Sequence, residues 1–341
     1  MRATVKDVAE RAGVSPKTVS NVINGVIFVR PETKARVEEA LAALNYVPNL
    51  SARGLRNGRS GMIGLALPDL LRPYSAEITH LFVELAHERG WGVQIEQTAA
   101  EPQREWELLS KARAHLVDGL ILNPINLGDS VVTAGPDGLP PVVLIGDVDQ
   151  DVVSQVCIDN VAAAADMVRH LLAAGYRRIA AVGTPEPGPD QVKSSGTAAA
   201  RLRTIGYRQA LTEAGLPIED DLFVPFDRWN PENAAEAVTS YLRDHDLPDA
   251  FFCFTDTIAS GVLSALWHLG IAVPGDVGVA GFDNVTDSEF AVPPLTTVDF
   301  SKRDFVTAGL ELLEETMRDR TAAPRRIVIP HRIIARASTG T

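Results

Sequence analysis

Residues Thr4 to Asn24, TVKDVAERAGVSPKTVSNVIN, constrain this chain more than any other stretch, because they predict two short helices joined by a tight glycine turn. Thr4 is placed to cap the first helix reciprocally with Asp7, and Val5, Val8, Ala9 and Ala12 recur at i, i+3, i+4 and i+7 on one face. Gly13 stops that helix. Ser15 is a good N-cap, Pro16 falls at the first helical position where a missing N–H costs nothing, and Gly25 follows the second helix. Val19, Val22 and Ile23 face inward, which leaves Pro16, Lys17, Ser20 and Asn21 on the outer side near the N-terminal half. A third helix is expected from Pro31 to Leu44, burying Val37, Ala40, Leu41 and Leu44. The pattern is a helix-turn-helix, whose second helix meets base edges in the major groove.

The charge distribution agrees with that reading. The chain carries a net charge of −12, yet residues 1–60 hold a local balance of +5, leaving −17 on the remainder. Phosphates repel an acidic body, so a basic head implies that the head alone touches DNA, with an affinity that falls as salt rises. The competing reading of this head is a solvated basic bundle used for protein contacts.

The head resembles that of the lactose-repressor/galactose-repressor (LacI/GalR) family of bacterial transcription regulators. The resemblance runs from Thr4-Val5-Lys6-Asp7-Val8-Ala9 through Gly13-Val14-Ser15 and Thr18-Val19-Ser20 to Val22-Ile23-Asn24. It resumes at Arg36-Val37, Leu44-Asn45-Tyr46-Val47-Pro48-Asn49, Ala52-Arg53 and Leu55. It implies that Pro16, Lys17 and Asn21 occupy base-reading positions, with Ser15, Thr18 and Ser20 nearer the phosphates. Lys17 has the chemistry to donate to guanine O6/N7 and Asn21 to pair with adenine, whereas Pro16 offers only an apolar contact. Arg30 stands where the family often has a serine cap, which weakens the start of the third helix.

Residues 49–60, NLSARGLRNGRS, join head to body. In the family this segment becomes a short hinge helix on DNA, and Leu55 matches the leucine wedged into the minor groove, where it unstacks a base step and bends the duplex. Arg53 and Arg56 are expected to add sequence-independent affinity. Gly54 costs a helix about 1 kcal/mol relative to alanine, so the hinge depends on DNA and on its dimer mate. The alternative is a plain Gly/Ser/Arg linker.

From Gly61 the chain alternates apolar strand-length runs with amphipathic helix-length segments, the signature of parallel βαβ units. Strands are expected at Met62–Leu67, Gly92–Glu96, Gly119–Asn123 and Val142–Ile145, and in a second series at Ile179–Gly183, Phe223–Pro225, Phe251–Phe254 and Val277–Gly281. The fold class is therefore α/β, with an N-terminal helix-turn-helix head and a two-subdomain body of parallel sheets like that of periplasmic binding proteins. The expected domains are 1–48 for DNA binding, 49–60 for the hinge and 61–341 for effector binding and dimerisation. Within the body, about 61–158 and 299–325 form one subdomain, and about 161–296 and 327–341 the other. The resemblance implies that Leu295–Val298 and a helix at Ser301–Asp319 return to the first sheet, and that Ile327–Val328 finishes in the second. Two open α/β sheets side by side imply a cleft at their carboxyl ends.

The resemblance extends over the body at Ile63-Gly64, Val117-Asp118-Gly119-Leu120-Ile121, Asp159-Asn160, Arg203 with Gly206-Tyr207, Phe252 to Asp256, Val273-Pro274, Asp276-Val277, Gly281-Phe282-Asp283-Asn284 and Pro294 to Val298. It places effector contacts at Tyr74, Asn123, Arg203, Trp229, Asp256 and Asp283. Carboxylates, an amide, a forked guanidinium and a flat indole suit a polyol, so the implied ligand is a carbohydrate. Each residue also has an ordinary structural reading: an Asp at a strand end caps the next helix, and a loop Trp packs. Ile145 and Gly146 depart from the polar or aromatic residues of some relatives.

Cys157 and Cys253 lie in separate apolar runs and read as two buried thiols in a reducing compartment. The seven histidines show no metal spacing, and Asp147, Asp149 and Asp151 lack the glycine and glutamate of a calcium loop. Pro185–Ala200 reads as a loop beside the cleft. No nucleophile–base pair, cofactor fingerprint, membrane span or signal segment is found, so neither a cofactor nor a metal is expected. The expectation is a cytoplasmic homodimer that binds a pseudo-palindromic double-stranded operator as a repressor, answers to a small-molecule effector, and is not an enzyme. The competing function is a periplasmic-type sugar-binding protein with no regulatory role.

Overall fold

Thr4 opens α1 (Val5–Ala12) by reciprocal capping: its backbone N–H donates to Asp7 Oδ2 at 2.7 Å, and its hydroxyl accepts the Asp7 N–H at 3.4 Å. The Thr4 backbone donor, followed by its hydroxyl, holds the Asp7 carboxyl below the usual carboxylate range. Gly13 ends the helix at φ 64°, a left-handed conformation that costs glycine nothing. The helices α2 (Pro16–Ile23) and α3 (Pro31–Ala43) close a core of Val8, Ala9, Ala12, Val19, Val37 and Ala40. Val22, Ile23, Leu41 and Leu44 pack half-buried at its margin. Arg30 gives α3 no side-chain cap, as expected, and Pro31 at the first helical position supplies a preset φ instead.

The computed structural model describes residues 3–23, 29–46, 60–99, 101–113, 116–124, 139–146, 150–185, 198–226 and 228–340, which fall into two units divided at Gly61. The expected hinge contacts Arg53, Leu55 and Arg56 lie outside the described residues.

Among the described residues the body holds two six-stranded sheets. In the first, β1 (Met62–Leu67), β2 (Gly92–Gln97), β3 (Gly119–Leu122), β4 (Val142–Ile145), β5 (Gln155–Ile158) and β11 (Arg326–Ile329) run parallel in the order β11-β5-β4-β3-β1-β2. Side chains alternate across this sheet. Ile63, Leu65, Leu67, Ile121, Val143 and Ile145 belong to the main core, while Ala66, Leu120, Leu122, Val142 and Leu144 meet Leu108 and Leu109 of α5 (Pro102–Arg113). Burial on both faces is why the inner strands β1, β3 and β4 read as unbroken apolar runs. The helices α4 (Pro73–Glu88) and α11 (Lys302–Arg318) pack together, and α11 lies along β3, β4 and β5.

The second sheet has the order β12-β10-β9-β8-β6-β7, from β6 (Ile179–Thr184), β7 (Phe223–Pro225), β8 (Ala250–Cys253), β9 (Gly278–Phe282), β10 (Thr296–Phe300) and β12 (His331–Ile334). Among the described residues only β12 is antiparallel, against β10. The helices α6 (Asn160–Ala173) and α7 (Ala198–Glu213) pack as one pair, α8 (Pro231–Asp244) and α9 (Asp256–His268) as another, and the short α10 (Thr286–Phe290) follows β9. Cys157 lies in β5 and Cys253 in β8, both buried and in different sheets. No helix among the described residues is long and apolar enough to cross a membrane.

The last crossings differ from the sequence expectation. Leu295–Val298 does not return to the first sheet: the strand it leads into, β10, pairs with β9 and β12. Ile327–Val328 does not finish in the second sheet but pairs with Val156 and Cys157 in the first. Residues 296–300 therefore belong to the second sheet and 326–329 to the first. The chain crosses between sheets at Asp159, Ser301 and Pro330. The first two crossings become helix N-caps at once: Asp159 accepts from the Ala162 N–H at 2.9 Å and Ser301 from the Asp304 N–H at 3.2 Å. Pro330, which has no N–H to donate to a ladder, separates β11 from β12. β12 and α10 had not been anticipated, and α7 begins at Ala198, inside the expected loop.

Candidate functional site

In the head, Ser15 Oγ accepts the Thr18 N–H at 3.1 Å and lies 2.9 Å from Thr18 Oγ1, so the start of α2 is fixed by its own side chains. Ser15, Pro16 and Lys17 are exposed, while Thr18, Ser20 and Asn21 are half-buried. Lys17 and Asn21 stand one turn apart on the same face, with Ser20 beside them and Val19 locked into the core on the other side. This helix start presents one ammonium and one amide. Those two groups carry complementary codes for guanine and adenine edges.

In the body, a cavity of about 130 Å³ lies where the carboxyl ends of both sheets meet. Pro68, Asn123 and Gly146 reach it from the ends of β1, β3 and β4, and Thr255 and Asp283 from the ends of β8 and β9. Five of the six predicted effector residues line it: Tyr74, Asn123, Arg203, Trp229 and Asp283. Arg203 is held from several directions. Its Nε donates to Asn160 Oδ1 at 2.6 Å, its Nη1 to the Phe254 carbonyl, and its guanidinium lies 3.4 Å over the Phe282 ring. Its Nη2 stands 3.7 Å from Asp283 Oδ1. Asp283 and Asn284 turn the chain after β9 with φ of 104° and 44°, a conformation that Asp and Asn tolerate better than most residues. Burial pushes the Asp283 carboxyl up to about 6, against the pull of Arg203, Lys302 and Arg72.

Gly146, which departs from some relatives, adopts φ 95°, and a Cβ there would stand 3.1 Å from Asn123 Oδ1. Glycine at 146 keeps the Asn123 amide clear on the cavity floor. Trp229 is buried, edge-on to Phe254 with ring centroids 6.4 Å apart, and supplies the apolar wall.

Asp256 is placed differently from the other five. It is absent from the cavity lining, and its carboxylate is occupied inside the protein: Oδ2 accepts from the Val285 N–H at 2.9 Å and Ser288 Oγ at 2.6 Å, and Oδ1 from Thr297 Oγ1 at 2.6 Å. It ties the first turn of α9 to β10 and to the segment after β9. Burial, reinforced by Asp283, pushes it up to about 7 despite those donors. Because this pKa is raised above the unfolded value of 3.8, the stabilising contribution is complete below about pH 4 and is lost as pH rises through 7. In Asp256→Asn the body should lack this loss. Thermal unfolding of both proteins from pH 4 to 8 should show the wild type declining relative to the variant by roughly 2–4 kcal/mol; parallel curves would contradict the assignment.

Sequence reasoning missed several supporting residues. Asn160 and the Phe254 carbonyl orient Arg203, but neither has a local signal, since their partner lies tens of residues away in sequence. Glu77 on α4 accepts the Thr286 N–H at 2.6 Å and pairs with Lys302 Nζ at 3.2 Å, while Lys302 also donates to the Asn284 carbonyl at 2.8 Å. Burial works against the charge on Glu77, yet Thr286 and Lys302 hold its carboxyl below the usual range. This group bridges elements of the two sheets beside the Asp283 turn.

Residues 4–49 match the model of bacterial regulatory proteins, lacI family, and residues 168–339 that of a periplasmic binding protein-like domain. Catabolite control protein A of Priestia megaterium is 33% identical over 99% of this chain and 100% of its own. The HTH-type transcriptional repressor PurR of Actinobacillus pleuropneumoniae serotype 3 is 32% identical over 98% of both chains. Among solved structures, the lac repressor dimer bound to operator and the anti-inducer ONPF matches with a TM-score of 0.86 and 26% identity over 99% of each chain. The transcriptional regulator CelR–cellobiose complex matches with a TM-score of 0.70 and 28% identity, covering 99% of this chain and 100% of that one. A helix-turn-helix head on a two-sheet body, shared along nearly the whole length of these relatives, removes the reading as a binding protein without a regulatory role. The chain belongs to the lacI family of bacterial regulatory proteins, as a DNA-binding transcriptional regulator and not an enzyme.

Proposed function

We propose that this regulator is a cytoplasmic homodimeric repressor whose hold on a pseudo-palindromic operator is set by a sugar or sugar derivative bound between the two sheets. The observation that carries the reading is the cavity in which a fixed Arg203–Asp283 pair faces Asn123, Tyr74 and the Trp229 wall. Paired charges and an amide match vicinal hydroxyls, and an indole matches the apolar face of a sugar ring. The CelR neighbour was solved with cellobiose, which supports a carbohydrate class. That the PurR relative is a transcriptional repressor supports repression.

In this reading residues 1–48 read DNA, 49–60 form the hinge, and 61–341 bind effector and partner. The hinge runs directly into β1 in sequence, so a ligand that favours one orientation of the sheets alters the spacing of two hinges in a dimer. A ligand shifts operator affinity only by its differential affinity for the two states. The test is thermal unfolding of the full chain with a panel of sugars, followed by operator titration with any stabilising compound. A ligand at a hundredfold its Kd raises stability by about 2.7 kcal/mol. Binding without any change in operator affinity would refute the proposal.

The head makes a separate prediction. Lys17→Ala and Asn21→Ala should each relax sequence choice at one position per half-site by about 1–3 kcal/mol, whereas Arg53→Ala or Arg56→Ala should weaken all sequences alike and flatten the salt dependence. Titrations of single-base operator variants at two salt concentrations check this. A uniform loss on Lys17→Ala would show that α2 docks otherwise.

A further inference from the structure

The turn that carries Asp283 is built by one sheet and clamped by helices of the other. From the second sheet, the Val298 carbonyl accepts the Asp283 N–H at 3.0 Å, Thr297 Oγ1 accepts the Asn284 N–H at 3.3 Å, and Asp256 Oδ2 accepts the Val285 N–H at 2.9 Å. The Asn284 side chain is fixed there as well, donating to Asp299 Oδ1 at 2.9 Å and accepting from Arg336 Nη2 at 2.8 Å. Two backbone groups of the turn are held from the opposite side. The Thr286 N–H donates to Glu77 on α4 and the Asn284 carbonyl accepts from Lys302 at the start of α11, and both helices pack on the first sheet.

Glu77 and Lys302 act as one unit. Lys302 Nζ stands 3.2 Å from Glu77 Oε2, with Lys302 11% and Glu77 25% exposed, so the pair is largely shielded and each member also holds a backbone group of the turn. Such a pair is held only at close range, because either charge left alone in a shielded place loses its partner and regains little water. The pair also borders the cavity. Glu77 follows Tyr74 by one helical turn and Lys302 lies between Phe300 and Phe305 in sequence; those three aromatics line the cavity, whereas neither Glu77 nor Lys302 does. The Tyr74 and Phe300 ring centroids are 6.3 Å apart, and Lys302 Nζ lies 5.8 Å from the Phe300 centroid.

We infer that Glu77 and Lys302 are positioning residues for the effector response: they fasten the Asp283 turn to the first sheet in one relative orientation of the sheets, and the effector favours that same orientation. In it, Tyr74 and Asn123 of the first half and Asp283 of the second surround one cavity. This rests on the cavity being the effector site. Breaking the clamp moves the protein away from the orientation the ligand favours, so its effect on operator affinity is opposite in sign to the ligand's, whether the ligand induces or co-represses.

The experiment measures the operator Kd of the full chain, on a duplex selected from random DNA by the wild type. Wild type, Glu77→Gln, Lys302→Met, the double variant and Lys302→Arg are compared, each without ligand and with glucose, galactose, lactose and cellobiose. Glutamine keeps an oxygen for the Thr286 N–H, and arginine keeps the charge and a donor. The expected result is that the ligand-free Kd shifts at least fivefold in one common direction in Glu77→Gln and Lys302→Met. The double variant shifts no further than the larger single one, because both residues belong to one clamp, and Lys302→Arg recovers most of the loss. Any sugar that moves the wild-type Kd moves it the opposite way and binds the two single variants at least threefold more weakly. A purely structural role would lower the melting temperature and leave the ligand-free Kd unchanged. Ligand-free Kd values within twofold of wild type in both single variants, shifts of opposite sign, additive shifts in the double variant, or a shift in the same direction as a sugar's would each overturn the inference. A sugar that shifts the wild type while both single variants keep wild-type values overturns the clamp and spares the cavity as effector site. Failure of the underlying reading shows differently, as sugar binding that leaves the wild-type operator Kd constant.

Discussion

Asp283→Asn should bind operator without ligand within about twofold of wild type and lose its response to any effector that shifts the wild type a hundredfold. A hundredfold response corresponds to about 2.7 kcal/mol of coupling, which must come from contacts that differ between the two sheet orientations. Asp283 is placed to supply them, on the turn after β9, 3.7 Å from Arg203 Nη2 and close to the Glu77–Lys302 bridge. Asparagine is the informative replacement. It tolerates the φ of 104° better than alanine and keeps the side chain's shape while removing the charge. Since burial already raises this carboxyl to about 6, a neutral side chain suits the fold, and the melting temperature should hold. Operator titration with and without ligand reads both halves of the prediction.

The largest stability losses should come from two glycines that play no part in binding. Gly206 on α7 lies against α6 so closely that an added Cβ would overlap the Val161 carbonyl oxygen, and at Gly261 on α9 it would overlap the Pro231 carbonyl oxygen of α8. Backbone cannot yield as a flexible side chain does. Gly206→Ala and Gly261→Ala should therefore each destabilise the body by about 3 kcal/mol or more, by forcing a helix pair apart. Chemical denaturation of the full chain measures this, and a loss below about 1 kcal/mol would show that the pairs can slide.

Local chemistry made the head legible from its residues: the Thr4–Asp7 box, the Gly13 stop and the Pro16 start act within a few positions and reappear with the expected hydrogen bonds. The expected strands β1–β4 and β6–β9 were legible, the inner ones β1, β3, β4, β6, β8 and β9 because burial on both faces leaves unbroken apolar runs. What failed was the ending of the chain. RIVI of β11 and HRII of β12 are short, similar and separated by one proline, and the sheet that each joins is decided by partners such as Val156 and Val298, far away in sequence. The effector residues were reached by resemblance, and Asp256 marks its limit. A buried Asp before a helix has the same local signature whether its oxygens face a cavity or, as here, Ser288, Thr297 and the Val285 N–H.

The central claim is that occupancy of the cavity sets the hold of the head on DNA. The most direct test is the operator Kd of the wild-type chain, at one fixed salt concentration, across a titration of a sugar that raises its melting temperature. The account predicts a change of tenfold or more, half-complete near the calorimetric Kd of that sugar. An operator Kd that stays constant while the cavity fills would contradict it.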